Sequence, residues 1–337
     1  MNVLLTSAGR RNYLVEYFQE ALRGRGQVFA ADAKASAPAL QEADGTLLVP
    51  PIGNRHYVEA LLEFCVDEEI KLLVPLNDLE LPYLAAARER FAAVGTTVVV
   101  SSPEVVRRCF DKWETASFLQ AHGVQTPKSY LSLASAREAL ERGDVSFPLI
   151  IKPRWGSASI GIDFPQDEDE LELGFELLLR RLGRTALSDL GHDSEQTLLI
   201  QEFIVGEEYG LDIVNDLSGR YVTTFAKQKL GMRAGETDSA LTIADEALSG
   251  LGRAIGESLG HLGCLDCDVF LGEKGPVVIE LNPRFGGGYP FSHAAGANLP
   301  AALLAWARGE APDASWLQLE PGVTASKYSR LMLIRRS

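Results

Sequence analysis

Along the first hundred residues, short apolar runs alternate with longer segments whose apolar positions return every three or four residues. NVLLTSAG reads as a strand entering a glycine turn, and RRNYLVEYFQEALRGRG as an amphipathic helix ended by glycines. QVFAAD, KLLVPLND and TTVVVSS read as further strands, with HYVEALLEFCVDEEI and LELPYLAAARERFAAVG as helices. Such alternation predicts a parallel sheet with helices on both faces. Ser102-Pro103-Glu104 has the form of a helix cap with proline in the first turn, which places a domain boundary there and closes a unit over residues 1–103.

The pattern then changes. RRCFDKWETASFLQAHG and SLASAREALERG read as helices, and SFPLIIKPRWGSASIGIDF as strand, Gly/Ser loop and strand. PQDEDELELGFELLLRRL reads as a helix whose opening acids suit the positive end of its dipole, and GRTALSDLGHDSEQ as a polar loop. TLLIQEFIVGEEYGLDIVND and GRYVTTFAKQKLGM read as antiparallel strands, and CLDCDVFLGEKGPVVIELN as a hairpin. ALSGLGRAIGESLGHLG and HAAGANLPAALLAWARG supply the remaining helices. The fold class expected is α/β followed by α+β, with further units over 104–200 and 201–337.

Composition narrows the function. The 337 residues are 46% hydrophobic and 23% charged, a globular balance, with a net charge of −14. That charge argues against a nucleic-acid or anionic-membrane partner, because either needs a concentrated basic face. MNVLLTSAGRR lacks the order of a signal peptide, and no run reaches the apolar length of a membrane span. A soluble, cytoplasmic protein is expected. Cys264 and Cys267 form a C-x-x-C inside a strand pattern, with no second pair, and read as core thiols.

Residues 277–290, VVIELNPRFGGGYP, carry the first chemistry. Residues two apart on a strand share a face, so Glu280, Asn282 and Arg284 point together. A hairpin turning at GEKG brings Asp268 to the same end as Glu280. Two carboxylates and an amide oxygen suit Mg²⁺ or Mn²⁺, and Arg284 beside them suits a phosphate. Lys152 ends the strand of IIKPRWGSASIG, and the loop from Gly156 through Ser157, Ala158 and Ser159 to Gly161 can close its N–H groups around phosphate oxygens. In QEFIVGEEYGLD, backbone groups at Glu202, Phe203 and Ile204 can pair with an adenine, and Glu208 can take ribose hydroxyls. Lys112 in FDKWE adds a cation. Read singly, each piece has a plain alternative as a solvated strand end, a surface turn or an exposed charge.

In this order the motifs resemble the ATP-grasp superfamily, in particular a single unit of the carbamoyl-phosphate synthase large chain, and the resemblance runs over essentially the whole chain. It implies an N-terminal pre-ATP-grasp domain, a small lid subdomain and a C-terminal subdomain with the metal site. It also implies ATP and Mg²⁺ (or Mn²⁺) as cofactors, and a ligase that activates a carboxylate as an acyl phosphate for attack by an amine. Matched residue by residue, Lys112 and Lys152 contact ATP phosphates under the Gly156–Gly161 loop. Glu202, Phe203 and Ile204 form the adenine hinge, and Glu208 is the ribose acid. Asp268, Glu280 and Asn282 hold the metal, and Arg284 and Lys152 are catalytic. Gln201 stands where many relatives have Glu. Asp268 is taken over Asp266 as the first metal acid because its spacing to Glu280 fits the shorter hairpin.

For the small-molecule carboxylate and amine substrates, TSAGRRN offers Arg10 and Arg11 at a strand end, where open parallel sheets bind ligands. NDLE offers Asp78 and Glu80 on the same edge, as substrate contacts or as helix caps, and KLGMRAGETD offers Arg233. A nicotinamide dehydrogenase is the weaker reading, since G-x-G-x-x-G is absent. An ATP-binding sensor or scaffold without turnover is the alternative within the same fold. A homodimer is compatible with the family.

Overall fold

The computed structural model describes residues 1–156, 161–183 and 196–334. Its N-terminal sheet has five parallel strands, β1 (Asn2–Thr6), β2 (Val28–Asp32), β3 (Gly45–Leu48), β4 (Ile70–Pro75) and β5 (Thr97–Val98), in the order β3-β2-β1-β4-β5. The two-residue period divides the strands between two cores. Val3 and Leu5 pack with Phe18, Leu72 and Val74, while Leu4 packs with Leu61, Leu73 and Phe91. Burial on both faces explains the near-continuous apolar runs of β1 and β4. β3 and the short helix Pro38–Glu42 have too few residues for a periodic signal.

Strand order reverses between β1 and β4, where such sheets leave a crevice at the carboxyl ends. A cavity of about 550 Å³ lies there, lined among others by Ser7, Arg10, Lys34, Tyr57 and Asn77. The run expected as one helix after β4 is a 3₁₀ turn, Asp78–Glu80, and two short helices, Leu81–Ala86 and Arg88–Ala93.

Ser102 caps the helix Pro103–Phe110 by accepting from the Val105 N–H. The long helix expected next breaks at Asp111, whose carboxylate caps a second helix, Lys112–Ala121. A three-stranded antiparallel sheet follows, made of β6 (Ser129–Tyr130), β7 (Leu149–Pro153) and β8 (Leu198–Glu202) in the order β6-β8-β7. Helices Leu133–Glu141 and Glu168–Leu182 share its core with Leu149, Ile151, Leu198 and Ile200. The boundary expected between 200 and 201 falls inside β8. Most of the expected polar loop, 184–195, lies outside the described residues.

The third sheet is antiparallel and six-stranded. It contains β9 (Glu207–Asn215), β10 (Tyr221–Arg233), β11 (Glu236–Ile243), β12 (Gly263–Gly272), β13 (Gly275–Asn282) and β14 (Thr324–Ser326), in the order β13-β12-β9-β10-β11-β14. The stretch 197–216, read as one strand, is two. β8 belongs to the small sheet and β9 to the large one, with 203–206 passing between them. One face packs Leu211, Ile213, Leu265, Cys267, Val269 and Val278 against helices Pro103–Phe110, Lys112–Ala121 and Glu246–Leu259. All four cysteines are buried and free, Cys264 and Cys267 within β12. Among the described residues, no helix is long and apolar enough to cross a membrane.

Candidate functional site

Beyond Val214, Phe225 and Cys264, which join the first core, the other face of the large sheet is polar. β12 and β13 set Asp268 opposite Glu280 and Asp266 opposite Asn282, and β12 and β9 set Asp266 opposite Asp212 and Asp268 opposite Gly210. Alternation turns these side chains away from the apolar core. Cations hold the acids in place. Lys112 pairs with Glu280 at 3.2 Å, and Lys229 of β10 donates to Glu208 at 2.7 Å and to Asp268 at 2.6 Å. Arg284 donates to Asp266 at 2.8 Å and to Asp78 at 2.9 Å.

Burial raises the Asp268 carboxyl to about 6 although the Lys229 ammonium opposes the rise; Asp266 and Glu280 add to it. Burial also works against the Asp266 carboxylate, but Arg284 and Lys229 outweigh it and hold this pKa below the ordinary value. Among the described residues, no group of three or more His, Cys, Asp or Glu side chains could hold a metal ion. The set read from the sequence is two carboxylates, Asp268 and Glu280, with the amide of Asn282. That set fits a magnesium ion that completes its shell with phosphate and water, and it does not fit a closed protein cage.

Lys152, at the end of β7, is 5% exposed, and among the described residues its ammonium has no hydrogen-bond or ion-pair partner. Burial, and after it the charge of Lys112, lowers its pKa to about 8. A buried cation without a partner is costly, and an anion arriving from outside would relieve that cost. The Lys112 ammonium donates to the Gly156 carbonyl beside it. Gly156 and Gly161 have φ of 109° and 75°, in the left-handed region that favours glycine. Ser157, Ala158 and Ser159 lie outside the described residues.

Sequence reasoning missed what joins these lysines. The Asp111 carboxylate accepts from Arg154 Nε at 2.8 and 3.0 Å and from its Nη2 at 2.8 Å. Asp111 also accepts from the Trp113 and Glu114 N–H groups at the start of the helix that carries Lys112. The Lys112 N–H donates to the Arg154 carbonyl, and the Arg154 guanidinium lies over the Trp155 ring. Forty-three residues separate the charged pair, so no local pattern announces it.

Glu202 ends β8, and its carboxylate accepts from the Lys128 N–H at 3.2 Å. Phe203 is exposed, edge-on to Phe164, and Ile204 is half-buried; their backbone lies outside both neighbouring ladders. Glu208, at the start of β9, faces Lys229.

On the substrate edge the expectations divide. Asp78 is buried and reaches Arg284, bringing the N-terminal sheet to the catalytic candidate. Glu80 is corrected as a substrate contact. It is fully buried, accepts from Tyr57 Oη at 2.5 Å and from the Leu76 and Asn77 N–H groups at 3.0 Å, and so caps the turn after β4. Arg233 is corrected as well. Its side chain is 68% exposed near the β10–β11 turn, 3.6 Å from Asp238, whereas Lys227 and Lys229 are the buried cations of that strand. Arg10 lines the 550 Å³ cavity, and Arg11 sits at the N-cap of helix Asn12–Leu22. Neither arginine has an ion-pair partner among the described residues.

The glycines after Arg284 serve close packing. A Cβ on Gly286 would lie 2.2 Å from Asp266 Oδ1, and one on Gly288 would lie 2.7 Å from Lys227 Cε. Lys227 itself is sealed, donating to Asp212 at 2.6 Å and to Ser292 at 3.3 Å.

Comparison with known proteins gives two family matches, a PylC-like N-terminal domain over residues 3–99 and an ATP-grasp domain over 109–288. The chain is 28% identical over 217 residues to the uncharacterized protein y4rH of Sinorhizobium fredii, covering 60% of this chain and 43% of that one. It is 23% identical over 227 residues to the carbamoyl phosphate synthase large chain of Campylobacter jejuni, covering 64% of this chain and 20% of that one. The chain thus spans less than half the length of either relative. Among solved structures, the L-amino acid ligase of Bacillus licheniformis superposes with a TM-score of 0.72 at 19% identity, over 96% of this chain and 78% of that one. At that identity the likeness shows the fold.

Proposed function

The chain belongs to the ATP-grasp family, and on that premise we propose that it is an ATP-dependent ligase joining a small carboxylate, of amino-acid or peptide type, to an amine. The buried ammonium of Lys152, without a hydrogen-bond or ion-pair partner among the described residues, carries this reading, because a nucleotide phosphate would supply it with a direct anionic partner. The names of the similar proteins, an L-amino acid ligase and a carbamoyl phosphate synthase, support the substrate class. The proposal keeps 1–103 as the substrate edge and moves the start of the metal-bearing unit past β8, so that the whole small sheet belongs to the lid.

In this reading Lys112 and Lys152 meet the phosphates, Phe203 and Ile204 offer backbone groups to the adenine beside Glu202, and Glu208 takes the ribose hydroxyls. Asp268, Glu280 and Asn282 would hold a magnesium ion, which supplies charge neutralisation at the phosphates. A carboxylate oxygen of the substrate attacks the terminal phosphorus, the bond to ADP breaks, and an acyl phosphate forms. Arg284 neutralises the charge that gathers there. The amine then attacks the acyl carbon, phosphate leaves, and the amine loses a proton. The acceptor is assigned to the strand-end side of the N-terminal sheet, with Asp78, Arg10 and Arg11 as its contacts, where Arg10 lines the cavity and Asp78 reaches Arg284.

The test is ADP production from MgATP with pooled amino acids, followed by mass spectrometry of the products. The expected result is ADP formation that requires both a carboxylate and an amine, with a condensed product. ATP binding without substrate-stimulated turnover would overturn the ligase reading in favour of a sensor.

A further inference from the structure

Lys229 is used by none of the roles above, yet it occupies the centre of the site. It lies on β10, and its ammonium crosses β9 to reach Asp268 on β12. Gly210 is what it crosses. A Cβ there would already touch Cε of both Lys227 and Lys229 at 3.4 Å, so a longer side chain would obstruct the path. The two lysines then part. Lys227 turns to the sealed Asp212, and Lys229 turns to Glu208 and Asp268, whose side chains are each 25% exposed.

We infer that Lys229 is the resident counter-cation of this site and competes with the divalent metal for Asp268. The inference rests on the reading of Asp268 as a metal donor. Without nucleotide, the ammonium bridges the acid assigned to the metal and the acid assigned to the ribose, at 2.6 and 2.7 Å. A divalent cation entering alone must displace one charge-assisted hydrogen bond and then sit beside a positive charge that has nowhere to go. A nucleotide changes this, because its phosphate oxygens offer Lys229 new acceptors while its ribose engages Glu208. Metal and nucleotide therefore enter as one unit, and Lys229 enforces that coupling.

The experiment measures Mn²⁺ binding by electron paramagnetic resonance on the full chain, with and without a non-hydrolysable ATP analogue. The proteins are wild type, Lys229→Met, Lys229→Gln and Asp268→Asn. The glutamine variant keeps a donor without the charge and serves if the methionine variant folds poorly. In the absence of nucleotide, both lysine variants are expected to bind Mn²⁺ about tenfold or more tightly than wild type, the scale of one charge-assisted hydrogen bond. With the analogue present, that gap shrinks. Lysine variants that bind free Mn²⁺ no better than wild type would overturn the inference. Unchanged Mn²⁺ binding in Asp268→Asn with the analogue present would instead remove the metal reading beneath it.

Discussion

The N-terminal parallel sheet and the large antiparallel sheet carry their chemistry in different places. The first is covered on both faces by packed cores, so only its strand ends are free to hold polar groups. Arg10, Asp32, Asn77 and Asp78 all stand at or just beyond those ends. The second is apolar on one face and places Glu208, Lys229, Asp266, Asp268, Glu280 and Asn282 across the other. A sheet with one open face can therefore align a long, charged ligand along rows of side chains, while a doubly covered sheet offers a ligand its edge. Asp78 paired to Arg284 is where the edge meets the row.

The strongest challenge to that contrast is Lys152→Ala. Loss of this cation is expected to lower substrate-dependent ADP production about 10²–10³-fold, with the thermal unfolding midpoint retained. Lys152 comes from the small sheet and stands near Asp268 and Glu280 of the polar row, so near wild-type turnover would show that this side of the site does not work on phosphate. Glu80→Ala probes the parallel sheet's own use of an acid. The Tyr57 hydroxyl and two N–H groups lose their acceptor, and urea unfolding is expected to show a loss of about 1–3 kcal/mol. Activity per folded molecule stays constant.

The sequence made one half of this contrast readable. Period-two alternation and the GEKG turn were enough to set Asp268 opposite Glu280, and short apolar runs between helical patterns were enough for β1, β2 and β4. Partners that meet across strands were not readable. Lys229 finds Asp268 thirty-nine residues away through a gap made by Gly210, and Asp111 finds Arg154 through folding of the small sheet. Asp266 was passed over because hairpin spacing favoured Asp268, while Asp266's bond to Arg284 depends on a loop that only glycine allows. The split between β8 and β9 was hidden because the apolar run continues through Phe203, Ile204 and Val205 after the strand has ended.

A smaller effect is expected from pH. The Lys152 pKa of about 8 means that its ammonium in the free enzyme loses its proton as pH rises through that value. The value of kcat/KM for ATP is expected to fall about tenfold per pH unit above it. The value of kcat falls less, since bound phosphate holds the proton. A profile flat to pH 10 would separate Lys152 from the nucleotide. The smallest effect belongs to Arg233→Ala. At an exposed hairpin position it is expected to change stability by no more than about 0.5 kcal/mol and to leave the KM for the carboxylate unaltered. A large rise in that KM would return Arg233 to the substrate site.

On the proposed function, the acids and amide of the β12–β13 hairpin hold the divalent cation that presents ATP. Anomalous diffraction from crystals grown with Mn²⁺ and a non-hydrolysable ATP analogue tests it directly. The expected result is a manganese peak at about 2.0–2.2 Å from oxygens of Asp268, Glu280 and Asn282, bridged to the analogue's phosphates with Lys152 beside them. A nucleotide bound elsewhere, or manganese seated away from all three side chains, would contradict it.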